Sequence, residues 1–152
     1  MKQRYQVTVD VHVILERGGD ILLCLRNGTG YRDGWLCLPS GHLEDGETVV
    51  DCAIREVREE VAVTLDRRDL RPATVVHHLS PEGHPRLGVF FSASRWYGEP
   101  VNAEPAKCAE LLWAPAKLLP DNTVPYTAAG ISFYLDGVGV GLHGWPELAP
   151  AH

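Results

Sequence analysis

No stretch of this 152-residue chain approaches the ~20 apolar residues of a membrane span, and its start lacks a basic region followed by an apolar run. A spanning helix and a secretory leader are therefore not expected, and a cytoplasmic location is. Positive charge is also short: 14 Lys and Arg face 20 Asp and Glu, a formal charge of −6. That balance argues against nucleic acid as a partner, because such binding rests on neutralising a phosphate backbone. A polyanionic ligand would need a metal ion or a local basic patch. The four cysteines, Cys24, Cys37, Cys52 and Cys108, form no CxxC pair, and their neighbours are apolar. They read as small buried hydrophobes in a reducing compartment and not as a zinc site or a disulfide framework. Repeats, low-complexity tracts and linkers are absent too, so one domain over residues 1–152 is expected.

Against these absences stands a mixed pattern of elements. Val7, Val9, Val11 and Val13 alternate with Gln6, Thr8, Asp10 and His12, predicting a half-buried strand. Arg17 to Asp20 turns the chain into a second strand, Ile21 to Leu25, to make a hairpin. A Gly-rich loop from Arg26 to Asp33 precedes a short strand, Trp35 to Leu38, stopped by Pro39, and Gly41 to Gly46 is a further loop. From Thr48 to about Val61 the period becomes helical: Val49, Val50, Ala53, Ile54, Val57 and Val61 form one apolar stripe that should face a sheet. Thr74 to Leu79 and Leu87 to Trp96 predict another hairpin, followed by a short apolar segment at Leu111 to Trp113 and an amphipathic helix over Tyr126 to Leu135. The Gly-rich end beyond it suggests no element. This order indicates an α/β (α+β) sandwich and not a pure doubly wound sheet.

The segment that carries chemistry is Arg55-Glu56-Val57-Arg58-Glu59-Glu60. At about 100° per residue, Glu59 and Glu60 fall on either side of Glu56, and the three carboxylates point away from the apolar stripe. Like charges so spaced destabilise a helix by roughly 0.2–0.5 kcal/mol per pair. The simplest account is a solvated acidic face compensated by Arg55 and Arg58. The alternative is a hard-cation site, since carboxylate oxygens suit Mg²⁺, which also bridges to substrate phosphates. The adjacent His77 and His78 would point to opposite faces of a strand and are a poor pair of ligands for one ion.

The residues before this helix favour the cation. From Gly41 there are five residues to Glu47, seven more to Arg55-Glu56, then Val57, Arg58, Glu59-Glu60, Val61, Ala62 and Val63. The run resembles the Nudix box, matching eight of its nine specified positions, with Ala62 where the family has glycine. That position follows the helix, where a left-handed backbone is common. Ser40 in place of a frequent glycine is a second departure. The resemblance implies a Nudix-type α/β/α sandwich with a mixed central sheet. It implies metal-binding and catalytic roles for Glu56, Glu59 and Glu60, with the Gly41 carbonyl completing the coordination of Mg²⁺, or of Mn²⁺ as substitute. Glu47 and Arg55 match a pair that ties loop to helix. Arg26 matches an arginine that contacts substrate phosphate, and a further acidic ligand or base is expected outside the box, with Glu104 first and Glu110 second. Leu38-Pro39, Glu104-Pro105, Lys107 and Trp113 resemble the MutT-like branch, which acts on nucleoside triphosphates.

The implied chemistry is attack of water on a phosphorus of a nucleoside diphosphate linked to another group. For a triphosphate the products are the monophosphate and pyrophosphate. ADP-ribose, a nucleotide sugar, a dinucleoside polyphosphate and a capped RNA end are alternative substrates, and a silent nucleotide sensor is the alternative from another class. Trp35, Trp96, Tyr97 and His12 are open to base stacking, although aromatics near strand ends more often pack into core or rim. Monomer and homodimer are both compatible with the sequence.

Overall fold

In the computed structural model, which describes residues 2–146, strand β1 (Thr8–Arg17) runs through the middle of the sheet. Val11, Val13 and Leu15 are buried on one side of it, and Asp10, His12 and Ile14 on the other. The half-buried strand expected from the valine alternation is therefore corrected. Polar side chains at alternate positions do not reveal that a second layer covers them.

The Gly18-Gly19 turn leads into β2 (Asp20–Arg26), antiparallel to the end of β1, which then departs to pair with β3 (Leu36–Cys37) and β7 (Cys108–Pro115). That departure leaves the first half of β1 free for β4 (Ser40–His42), with Gly41 opposite Val11. The expected loop over Gly41 to Gly46 thus begins inside a strand. On the other side of β1 lies β6 (Pro85–Ala93), in parallel, joined by a hairpin to β5 (Arg71–Leu79). Strand β6 stops at Ala93, so Trp96 falls outside the strand predicted to contain it. The Gly-rich end forms β8 (Val140–His143), parallel to β5. The remainder of the expected single-domain span, residue 1 and residues 147–152, lies outside the described residues.

Among the described residues, two α-helices cover this mixed sheet. Thr48 caps helix α1 (Val49–Val61) by accepting from the Asp51 N–H at 3.1 Å, and Ala53, Val57 and Val61 pack on Val11, Val13, Leu22 and Phe91. Helix α2 (Pro125–Leu135) begins with a proline, whose missing N–H is no loss in a first turn. Its Tyr126 and Ile131 pack on Ile14, Leu23 and Phe90, across the sheet from α1. The expected amphipathic pattern is weak here, because Phe133 and Tyr134 are half-buried and Leu135 is 42% exposed. No helix among the described residues is long and apolar enough to cross a membrane.

Helix α1 ends at Ala62, whose backbone is left-handed (φ 58°, ψ 29°) while its N–H donates to Arg58 O at 3.1 Å. A Cβ in that region costs an L-residue roughly 1–2 kcal/mol that glycine does not incur. Ala62→Gly is therefore expected to stabilise the fold by about 1 kcal/mol, measured by urea unfolding; an unchanged or lower midpoint would show that this turn is unstrained.

Candidate active site

Arg55 organises the junction of loop and helix. Its Nε donates to Glu47 Oε2 at 2.6 Å and its Nη2 to Glu47 Oε1 at 3.0 Å, a paired arrangement of the strong, charge-assisted kind. The same guanidinium donates to Glu56 Oε1 at 2.8 Å, to Glu59 Oε2 at 3.3 Å and to His42 O at 3.4 Å. The hydrogen bonds from Arg55 bring the Glu47 carboxyl down to about 2, so it stays ionised and holds the loop to α1.

Glu56 and Glu60 lie one turn apart and face inward, against the expectation that all three glutamates project away from the packed side. Glu56 is 9% exposed and rests on Gly41, where any Cβ would overlap its carboxylate. Only glycine allows strand β4 to approach so closely. Glu60 Oε2 accepts from the Ser40 N–H at 3.1 Å. Burial pushes both carboxyls above the usual carboxylate range, well above it for Glu60, where the charges of Glu56 and Glu104 add to the effect. Glu59 is different: its side chain is about half exposed and turned to Arg55.

The segment after β6 supplies the next acid. Val101 N–H donates to Val61 O and Ala103 N–H to Glu60 O, each at 3.0 Å, which lays residues 101–104 along the end of α1 and puts Glu104 within electrostatic reach of Glu60. Glu110 is exposed on β7, and no contact among the described residues joins it to the cluster. Arg26, at the end of β2, donates to Tyr31 O at 2.7 Å and Thr29 Oγ1 at 3.1 Å and lies over the Tyr31 ring. It is engaged with its own loop and not with a glutamate. Its Nη1 also donates to the buried Cys37 Sγ at 3.5 Å.

These groups fit a divalent cation by their chemistry. Two desolvated carboxylates in contact repel each other unless a proton or a cation lies between them, and the donors are the hard oxygens that Mg²⁺ and Mn²⁺ prefer. The gathering is partial: among the described residues, no three Asp, Glu, His or Cys side chains already meet at ligand distance. Glu59 would have to leave Arg55 to join Glu56 and Glu60. Volume does not mark the place either, since a groove of about 840 Å³ between Arg17, Arg68, Arg95, Trp96 and Tyr97 is lined by none of these carboxylates.

A second polar group, on the α2 side of the sheet, joins Asp10, Arg86 and Tyr126 to His12, which the sequence left open to base stacking. Asp10 accepts from Arg86 Nη1 at 3.1 Å and lies 3.3 Å from His42 Nδ1. Beside it His12 stacks on Phe90 at 4.2 Å, and neither its ring nitrogens nor Tyr126 Oη have a hydrogen-bond partner among the described residues. Only the two polar residues among the valines of β1 hinted at it. His78 lies nearby, 2.9 Å from His143 between Nδ1 atoms, while His77 points to the other face and packs on Trp145.

Residues 4–132 match the NUDIX domain family. The chain is 31% identical over 102 residues to the ADP-ribose pyrophosphatase of Methanocaldococcus jannaschii, covering 67% of this chain and 59% of that relative. To the 8-oxo-dGTP diphosphatase of Escherichia coli it is 28% identical over 99 residues, 65% of this chain and 74% of the relative. A MutT NUDIX hydrolase structure from Burkholderia pseudomallei superposes with a TM-score of 0.76 at 27% identity, covering 84% of this chain and 98% of that one.

Proposed function

The chain belongs to the NUDIX domain family, and on that premise we propose that it hydrolyses a nucleoside diphosphate linked to a further group, foremost a nucleoside triphosphate to the monophosphate and pyrophosphate. The observation that carries this reading is the inward pair Glu56 and Glu60 over the bare backbone of Gly41. Glu56, Glu59, Glu60 and the Gly41 carbonyl would hold Mg²⁺, or Mn²⁺ in its place. Bound there, the ion would neutralise charge on nonbridging phosphate oxygens and lower the pKa of the attacking water.

The protein's own groups do the rest. Arg55 fixes Glu56 and, through Glu47, the loop that carries Gly41. Glu60, anchored by the Ser40 N–H, would accept the proton from water, with Glu104 alongside. Arg26 would turn from its loop to meet a phosphate. Hydrolysis of ADP-ribose is the second reading, favoured by the name of the Methanocaldococcus jannaschii relative.

A panel of normal and damaged nucleoside triphosphates, ADP-ribose and nucleotide sugars, assayed with Mg²⁺ and then Mn²⁺, tests the proposal. Monophosphate and pyrophosphate from a triphosphate are expected. Cation-dependent binding with no turnover of any compound would leave a sensor and defeat the enzymatic reading.

A further inference from the structure

The pairing of β2 with β7 slips between Cys24 and Arg26, and at that irregularity Cys24 and Cys108 are joined as a disulfide, with Cα atoms 6.0 Å apart and a sequence separation of 84. This corrects the reading of all four cysteines as isolated buried hydrophobes; Cys37 and Cys52 alone are free. No local spacing marks the pair, because sheet pairing and not a motif brings the two together.

The cross-link sits in the hydrogen-bond frame of the Glu104 loop. Cys108 N–H donates to Glu104 O at 2.9 Å, and Cys108 O accepts from Asn102 Nδ2 at 2.7 Å. Asn102 Oδ1 in turn accepts from the Glu104 N–H at 3.1 Å. Cys108 also stands opposite Arg26 in the sheet, and Asn27 N–H donates to Lys107 O at 2.9 Å. Residues 102–108 therefore hang between the end of α1 and the sulfur bridge. The two residues are unequally accessible: Cys24 is half-buried and Cys108 is 5% exposed. Cys108 Sγ lies 3.2 Å from Glu110 O, an acceptor for the thiol once the bridge is open, so the dithiol state is also provided for.

We propose that Cys24 and Cys108 form a reversible thiol–disulfide modification site that takes a low-molecular-weight disulfide of the glutathione type, and that its state sets the placement of Glu104 against Glu60. The Cys24 thiolate attacks one sulfur of the oxidant, forming a mixed disulfide and releasing one small thiolate. The Cys108 thiolate then attacks the Cys24 sulfur and releases the second. Two protein thiols lose two protons and two electrons, and the oxidant leaves as two thiols. The consequence for catalysis rests on the proposed hydrolase reading; the chemistry of the site does not.

The test equilibrates the full chain across glutathione redox buffers, denatures it with N-ethylmaleimide and counts adducts by intact mass. Two adducts are expected in the oxidised form, on Cys37 and Cys52, and four in the reduced form. Amide exchange over residues 102–108 should slow on oxidation. The Mg²⁺ concentration giving half-maximal activity should rise about tenfold on reduction, a fraction of the roughly 10²-fold that an ångström of misplacement can cost. Reduced wild-type protein makes the comparison without relying on a variant, and C24S/C108S should behave as reduced in every buffer. Four adducts at all potentials would overturn the site, and a bridge that leaves exchange over 102–108 unchanged would overturn its coupling to Glu104. Should no compound be turned over, Mg²⁺ affinity by calorimetry replaces the activity measurement, so failure of the hydrolase reading stays distinguishable.

Discussion

Glu60→Gln is expected to lower kcat by roughly 10²–10⁴-fold, the range for losing a group that acts in proton transfer, while leaving the cation-free protein at least as stable as wild type. The amide keeps an oxygen for the Ser40 N–H but removes the charge that faces Glu56 and Glu104. Because the folded protein holds the Glu60 carboxyl well above its unfolded value, ionising it at neutral pH costs stability. That contribution is fully present below the unfolded pKa, near 4.5, and is lost as pH rises through the folded one. A neutral Gln escapes the loss, so activity and stability should move in opposite directions. Steady-state kinetics beside thermal melts in EDTA would show it. Near wild-type turnover would remove Glu60 from the mechanism, and a large drop in melting temperature would mean that its charge is structurally required.

Acid is expected to weaken the fold well before the ordinary carboxylates titrate, through histidines on the α2 side of the sheet. Burial lowers His12 to about 3 and His78 to about 4, from a model-peptide value of 6.5. Each folded-state pKa lies below its unfolded one, so the unfolded chain takes up the proton first. Stability is then full above pH 6.5 and falls as pH drops toward about 4 and about 3. For the fully buried His12 the loss is about 1.4 kcal/mol per pH unit, or about 2 kcal/mol by pH 5; His78, partly solvated, adds a smaller, screened share. His12→Phe should flatten this slope in urea unfolding between pH 7 and 5. It should also raise stability at pH 7, because a buried unpartnered polar group costs about 1–3 kcal/mol and a phenyl ring can keep the stack on Phe90. An unchanged slope would mean that His12 does not report the acid sensitivity. Glu60 and His12 act in opposite senses: the His12 contribution grows as pH climbs to 6.5, while in the cation-free protein the Glu60 contribution declines above about 4.5.

The sequence by itself determined the features that depend on neighbours along the chain. A helical period from Val49 to Val61 and a fixed spacing from Gly41 to Glu60 are local properties, and they placed the glutamates on one helix with Arg55 between loop and carboxylates. Ala62 likewise announced a left-handed turn through the glycine it replaces. Tertiary structure alone decided what comes from far away. It turned Glu56 and Glu60 inward by seating β4 beneath them, brought Glu104 to the end of α1, and closed Cys24 on Cys108 across 84 positions. It also placed α2 over β1, burying Asp10 and His12, which the alternation had left in solvent. Periodicity records which side chains share a face; only the packing of a second layer determines whether that face meets water, a neighbouring charge or another sulfur.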